Sequence, residues 1–316
     1  MNKKKVKLSE LTIYLGLIVI VLGFTVVAAA TGRNFLSWSN VSNIIVQSSV
    51  IAVLAIGISL IIITGGIDIS VGTNAGFVGM VTALMIRAGV GILPACLIGL
   101  LVGVICGTCT GIGIAYGKLP PFVMSLGMNS VLTGMILVVS NSQPITGLPD
   151  ALGAIAKTRI GPLPIFLFYI LILYAIMVFI VGRTRFGRYV YAIGGNRQAA
   201  RLSGVAVQRY ELVVYMIGGL FAALSGLMLL ARLQYASTSA GKGYEMLAIA
   251  AAVVGGISMS GGRGRLINTL VGAMILGVIK TGLQTMDLPT YYQEIVTGLI
   301  IIGTVFVDRA RERKAE

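Results

Sequence analysis

Ile44–Ile63 reads IIVQSSVIAVLAIGISLIII, and Thr64–Ser70 follows at once as TGGIDIS. Twenty residues without a charge make a helix about 30 Å long, the thickness of a bilayer's hydrocarbon core. Two glycines and an aspartate then break the pattern. The same alternation of apolar run and polar punctuation extends in both directions. Upstream, Leu11–Ala30 is the first uncharged run. Downstream come Gly72–Ile86, which is short, Ile92–Tyr116, and Phe122–Val139. Lys118-Leu119-Pro120-Pro121 separates the last two, because paired prolines cannot continue a helix. A long connection rich in Gly, Pro and Asn, Ser140–Leu163, leads to Pro164–Gly182. The most polar internal segment, Arg183–Glu211, precedes Leu212–Ala231, and Met246–Met259, Leu266–Leu283 and Tyr292–Val307 complete ten expected spans. The eighth is too short to cross unaided.

The composition agrees. Of 316 residues, 57% are hydrophobic and 11% charged, where soluble domains carry about 25% charged residues. The mean hydropathy of +0.97 is spread along the chain, so neither a signal peptide nor a single anchor accounts for it. The expected class is an all-α polytopic membrane protein with about ten transmembrane helices and both termini cytoplasmic. The sidedness comes from the basic residues, which collect on cytoplasmic segments. Lys3, Lys4, Lys5, Lys7, Lys118, Arg183, Arg185, Arg188, Arg197, Arg201, Arg209, Arg263, Arg265, Arg309, Arg311, Arg313 and Lys314 fall on one side. Arg33, Arg87, Lys157, Arg159, Arg232 and Lys242 fall on the other. The basic excess, 24 Lys+Arg against 10 Asp+Glu, therefore reads as membrane topology and not as nucleic-acid binding. Three regions are expected: a basic cytoplasmic N-terminus over 1–10, one transmembrane domain over 11–307, and a cytoplasmic tail over 308–316.

With no histidine in the chain, His-based catalysis and most zinc sites are excluded, and no metal site is expected. Cys106-Gly107-Thr108-Cys109 has CxxC spacing but lies in an apolar span without further ligands, and reads as small packing residues. Gly256-Ile257-Ser258-Met259-Ser260-Gly261 has the glycine spacing of a phosphate loop, yet Gly262-Arg263 stands where Lys-Ser/Thr is required. Gly99, Gly103, Gly107 and Gly111 recur every fourth residue, so they share one helix face and admit a neighbouring backbone.

Few polar groups lie among the spans, and an ionisable one there is a functional candidate by default. Asp68 sits between Gly65-Gly66 and Gly72, either at an unwound cavity in the membrane or as a cap on the helix opening at Ser70 or Val71. Gln47, Asn74 and Asn129 suit a polar translocation path or interhelical hydrogen bonds. Lys280, near the outer end of its span, is placed to snorkel. Within Arg183–Glu211, Gly194-Gly195 reads as a turn, Asn196 as an N-cap, and Arg197–Leu202 as a short helix closed by Gly204. A compact helix standing outside the membrane suits docking of a soluble partner, and equally a solvated loop.

Four stretches carry a resemblance: TGGIDISVG (Thr64–Gly72), GRYVYAIGGNRQAARLSGV (Gly187–Val205), GYEMLAIAAAVVGGISMSGGRGR (Gly243–Arg265) and YYQEIVTGLIII (Tyr291–Ile302). Collinear and covering essentially the whole chain, they resemble the permease subunits of ribose-type ATP-binding cassette importers. The resemblance implies a homodimer of roughly ten-helix subunits in the bacterial cytoplasmic (inner) membrane. It implies a cytoplasmic ATPase with two nucleotide-binding modules and an extracytoplasmic sugar-binding protein as partners. It also implies that this chain is not an enzyme and binds no cofactor, ATP and Mg being held by the ATPase. Gly194, Gly195, Asn196, Arg197, Ala200, Arg201 and Gly204 then lie in a cytoplasmic segment that couples to that ATPase. The substrate expected first is a monosaccharide, ribose or another pentose. Alternatives are a permease of the same class for a furanosyl signal molecule or nucleoside, and a carrier driven by an ion gradient through Asp68. A membrane enzyme lacks support, since no nucleophile is paired with a base.

Overall fold

A computed structural model describes the backbone of residues 3–289, 291–296, 298, 299, 302 and 303, and the side chains of these except 3–12 and 155. The expected tail 308–316, residues 304–307 of the tenth expected span and the side chains of the N-terminal lysines lie outside the described residues.

Seven helices among the described residues are long and apolar enough to cross a membrane. They are α1 (Lys3–Ala30), α2 (Trp38–Ile63), α4 (Ile92–Ala115), α5 (Pro121–Ser140), α7 (Ile165–Arg183), α10 (Val207–Leu233) and α12 (Leu266–Thr285). Two apolar helices are shorter, α3 (Val71–Arg87) and α11 (Tyr244–Val254). Three further helices are not spans: α6 (Asp150–Lys157), α8 (Arg185–Gly195) and α9 (Arg197–Leu202). The only strands among the described residues, β1 (Arg159–Ile160) and β2 (Leu163–Pro164), pair antiparallel within the long connection. Local chemistry sets several ends. Pro121 opens α5 at its first position, where a missing N–H costs nothing. Asn141 closes the same helix in the left-handed conformation.

Burial sorts the spans into a centre and a rim. The apolar window of α2 is 89% buried, against 6% for α1. Around α2 pack α7, α10, α11 and α12. Several buried hydroxyls bind the centre together, because a hydrogen bond to a neighbouring helix offsets their removal from water. The Tyr174 hydroxyl of α7 donates to the Ala52 carbonyl at 3.1 Å and lies 2.9 Å from Thr269 Oγ1 of α12. Ser225 of α10 donates to the Val50 carbonyl at 2.9 Å. The rim helices leave Val26, Leu93, Val138 and Phe179 exposed, an apolar surface suited to lipid.

The glycine stripe of α4 faces this centre. A Cβ at Gly107 would lie 2.4 Å from the Tyr215 carbonyl oxygen and 2.9 Å from Gly219 Cα, both on α10. One at Gly103 would meet Ala223 Cβ at 2.5 Å, and one at Gly111 would meet Leu212 and Tyr215 at 3.0 Å. Gly99 approaches Thr82 of α3. Helix backbones this close gain dispersion contacts along their length.

Two helices begin partway across the bundle. The first turn of α3 touches the middle of its neighbours: Asn74 donates to the Gly103 carbonyl of α4 at 3.1 Å, and Gly226 of α10 abuts Ala75. Gly103 is twelve residues, about 18 Å, from the end of α4. The start of α11 lies at the same level, because a Cβ on Gly72 would be 2.9 Å from the Glu245 amide nitrogen. Thr64–Ser70 therefore climbs from the end of α2 as irregular backbone.

The structure extends the first two expected spans back to Lys3 and Trp38 and moves two further boundaries. The eighth expected span, Met246–Met259, ends at Val254 because Gly256, Gly261, Gly262 and Gly264 all adopt positive φ, which no helix tolerates. The seventh starts at Val207 instead of Leu212, since Gln208, Arg209 and Glu211 are accommodated in its first turns.

Candidate functional site

The segment Arg183–Glu211 folds into two helices beyond the end of α7. The expected Gly194-Gly195 turn is absent: α8 runs through both residues, and the chain reverses at Asn196, whose φ is −160°. Asn196 does act as the N-cap of α9, its Oδ1 accepting from the Ala199 amide at 2.9 Å. Gly204 ends the motif at φ +83°, a conformation costly for any residue with a Cβ. Ala200 is buried with Ile193 and Val207, which holds α9 against α8 and α10. Gly195, Asn196, Arg197, Arg201 and Gly204 are exposed on the outside of the motif.

Gly194 faces inward. A Cβ there would lie 1.7 Å from the Ile63 carbonyl oxygen at the end of α2 and 2.5 Å from the Gly262 amide nitrogen. That amide donates to the same Ile63 carbonyl at 2.8 Å. The Tyr191 hydroxyl donates to the Gly264 carbonyl at 2.8 Å. Burial pushes this hydroxyl's pKa up, while the nearby Arg265 opposes the shift. The glycine-rich loop 255–265, read from sequence as span and failed phosphate loop, is thus the surface on which α8 sits.

Glu211 is the residue that sequence reasoning left without a role. Arg197 Nη1 lies 2.6 Å from Glu211 Oε1, and Nη2 donates to Oε2 at 2.8 Å, a bidentate pair joining α9 to α10. The Glu211 side chain is 5% exposed and Arg197 56%. The signal was available: Glu211 is the only acid in a segment full of arginines. Arg197→Ala strands a buried carboxylate and is expected to lower stability by about 1–3 kcal/mol. The double variant Arg197→Ala/Glu211→Gln should regain at least half of that in thermal unfolding; a further loss would show the pair to be unimportant.

The other candidates line the break between α2 and α3. Asp68 is buried, and its Oδ1 accepts from the Ser70 amide at 2.8 Å and the Ser70 hydroxyl at 2.6 Å. This is an aspartate turn within unwound backbone, two residues ahead of the N-cap position, so it joins features of both sequence readings. Thr73 donates to Asn129 of α5. Gln47 donates to Gln284 Oε1 of α12 at 2.9 Å. Asn74, Asn129 and Gln47 each therefore hold two helices together. Asn74 Oδ1 and Gln47 Oε1 are buried without a hydrogen-bond donor among the described residues. Sequence reasoning also missed Glu245, which accepts from the Gly243 amide at 3.1 Å and sits against Gly72 where α11 opens beside α3.

Residues 40–305 match the family model described as branched-chain amino acid transport system / permease component. The chain is 38% identical over 292 residues to the ribose import permease protein RbsC of Escherichia coli strain K12, covering 90% of each. It is 40% identical over 277 residues to the D-allose transport system permease protein AlsC of the same organism, covering 87% of this chain and 85% of that one. It is 32% identical over 276 residues to the autoinducer 2 import system permease protein LsrC of Yersinia pseudotuberculosis, covering 87% of this chain and 79% of the relative. No solved structure matches the chain. The chain belongs to the family of branched-chain amino acid transport system permease components.

Proposed function

We propose that this chain is the membrane-spanning permease subunit of an ATP-driven importer that carries a monosaccharide, ribose or another pentose first. The observation that carries the reading is the α8–α9 motif. It is rooted on the ends of α2 and α10, with an outer surface of Gly195, Asn196, Arg201 and Leu202 that is exposed among the described residues. Leu202 is 89% exposed, which is unusual for a leucine outside the lipid-facing rim. A separate ATPase fits that surface, with ATP and Mg held on its two nucleotide-binding modules. Closure of those modules would move the motif, and α2 and α10 would carry the displacement into the bundle. An extracytoplasmic binding protein would deliver the sugar, and a second copy of the chain would complete the path.

In this reading both termini are cytoplasmic and about ten spans cross the inner membrane, with α3, α11 and the segment after Tyr291 joining the seven long helices. The break where α3 and α11 open is the polar centre of the path. Transporters place irregular backbone at such depth where it lines a route for substrate. A neutral sugar needs hydrogen-bonding groups such as Asn74 and Gln47 more than charges.

Recovery of the tagged chain from its own cell in mild detergent should bring with it an ATPase and, when sugar is present, a binding protein suited to a sugar screen. Recovery of the chain alone, with uptake in liposomes driven by a proton or sodium gradient, would replace this reading with that of a secondary carrier coupled through Asp68.

A further inference from the structure

A groove of about 760 Å³ opens between the α4–α5 turn and the α9–α10 corner. Its walls carry Lys118, Arg201 and Arg209 together with Leu119, Pro120 and Val205. A fourth cation on the wall, Arg197, is already neutralised by Glu211. Among the described residues no carboxylate pairs with Lys118, Arg201 or Arg209. Three like charges lining one groove repel one another, and the arrangement is relieved by an anion. Lys118 stands there in the left-handed conformation, φ 56°, which is uncommon for a long side chain. Such strain persists where the surroundings over-determine it.

Residues neighbouring the groove in sequence expose apolar side chains. Ile112, Leu119, Phe122 and Val123 are exposed at the adjoining ends of α4 and α5, on the same rim that presents Leu93 and Val138 further along. A ligand that fills the groove therefore has an anionic head and an apolar body. We infer that the groove between the α4–α5 turn and the α9–α10 corner binds the phosphate headgroup of an anionic phospholipid, the acyl chains lying along α4 and α5. The distribution of Lys and Arg along the chain puts this turn on the cytoplasmic side, where basic pockets at helix ends meet anionic lipid. Arg201 belongs both to this groove and to the proposed docking surface, whose other residues Gly195, Asn196 and Leu202 lie outside the groove, so lipid and a docked partner would meet at Arg201. The inference goes beyond the transport reading and does not require it.

The test uses the full chain, delipidated in detergent, and the variant Lys118→Asn/Arg209→Gln. Asparagine tolerates the left-handed conformation, so the charge is removed without new strain at residue 118. Phosphatidylglycerol is expected to raise the melting temperature of the wild type above the value in phosphatidylcholine of the same chain length. The variant should melt like wild type in phosphatidylcholine and lose the additional rise. Native mass spectrometry should find retained phosphatidylglycerol reduced on the order of tenfold, since each basic residue near anionic lipid strengthens binding several-fold. Equal stabilisation of wild type and variant by phosphatidylglycerol would overturn the inference. So would an equal rise with soluble glycerol 3-phosphate, which would make the groove a site for a free phosphate. Loss of a co-purifying ATPase from the variant, with its lipid response intact, would assign the groove to the partner instead.

Discussion

Gly195→Trp is expected to abolish uptake while leaving the subunit folded in the membrane. Among the described residues no heavy atom lies within 4 Å of a Cβ built on Gly195, so the indole meets open space there. On the proposed docking surface it would hold the ATPase away. Disruption of a central interface position weakens association by at least about 2 kcal/mol, a factor on the order of thirty. The measurement pairs sugar uptake in cells deprived of their own permease with recovery of the ATPase on the tagged variant. Uptake near the wild-type rate would remove Gly195 from the docking surface. The adjacent residue provides the contrast. At Gly194 a Cβ falls on the Ile63 carbonyl and the Gly262 amide, both backbone groups, so Gly194→Ala should fail in assembly of the subunit and not in docking. Two neighbouring glycines thereby separate loss of fold from loss of coupling.

The second large effect is expected in the bundle. Gly107→Leu should remove the subunit from the membrane fraction or leave it aggregated on size exclusion. Its Cβ would press on the Tyr215 carbonyl and Gly219 Cα. Overpacking against mobile side chains costs about 1–3 kcal/mol. Backbone cannot yield in that way, so α4 would have to separate from α10 along the whole stripe. Gly127→Leu on α5 is the matched control, because among the described residues nothing lies within 4 Å of its Cβ position and the residue is exposed. It should behave as wild type within about 0.5 kcal/mol, as exposed substitutions do. A monodisperse Gly107→Leu subunit with wild-type melting would show that the α4–α10 contact does not sustain the fold.

How legible was the site? Asn196 capping a helix over Arg197–Leu202 and Gly204 closing it were readable because capping is local chemistry, decided within four residues. The Gly194-Gly195 turn was misread for a tertiary reason. Two glycines normally weaken a helix, but here the helix continues because only a residue without a side chain lets α8 rest on Ile63 and Gly262. Loop 255–265 was misread in the opposite direction. Its apolar content up to Met259 matched a span, while Gly256 and Gly261 stood out from sequence only as the spacing of a phosphate loop that Gly262-Arg263 fails to complete; the positive φ of Gly256, Gly261, Gly262 and Gly264 required coordinates. Asp68 shows a mixed case. Its place in irregular backbone was legible from flanking glycines, whereas its engagement by Ser70 required coordinates.

By itself the sequence determined that the chain lies in a membrane as helices, and where most of those helices run. Length of apolar runs against bilayer thickness is a one-dimensional matter, as is the burial of backbone hydrogen bonds within each helix. It also determined the four-residue glycine stripe, since spacing on a helix fixes which residues share a face. Only the tertiary structure decided which neighbour that stripe meets, that α3 and α11 open side by side partway across the bundle, and that Arg197 closes on Glu211. These depend on which of many apolar faces pack together. Inside a bilayer lipid is as apolar as leucine, so hydropathy does not discriminate among them; close backbone approach at glycine and the pairing of a few buried polar groups do.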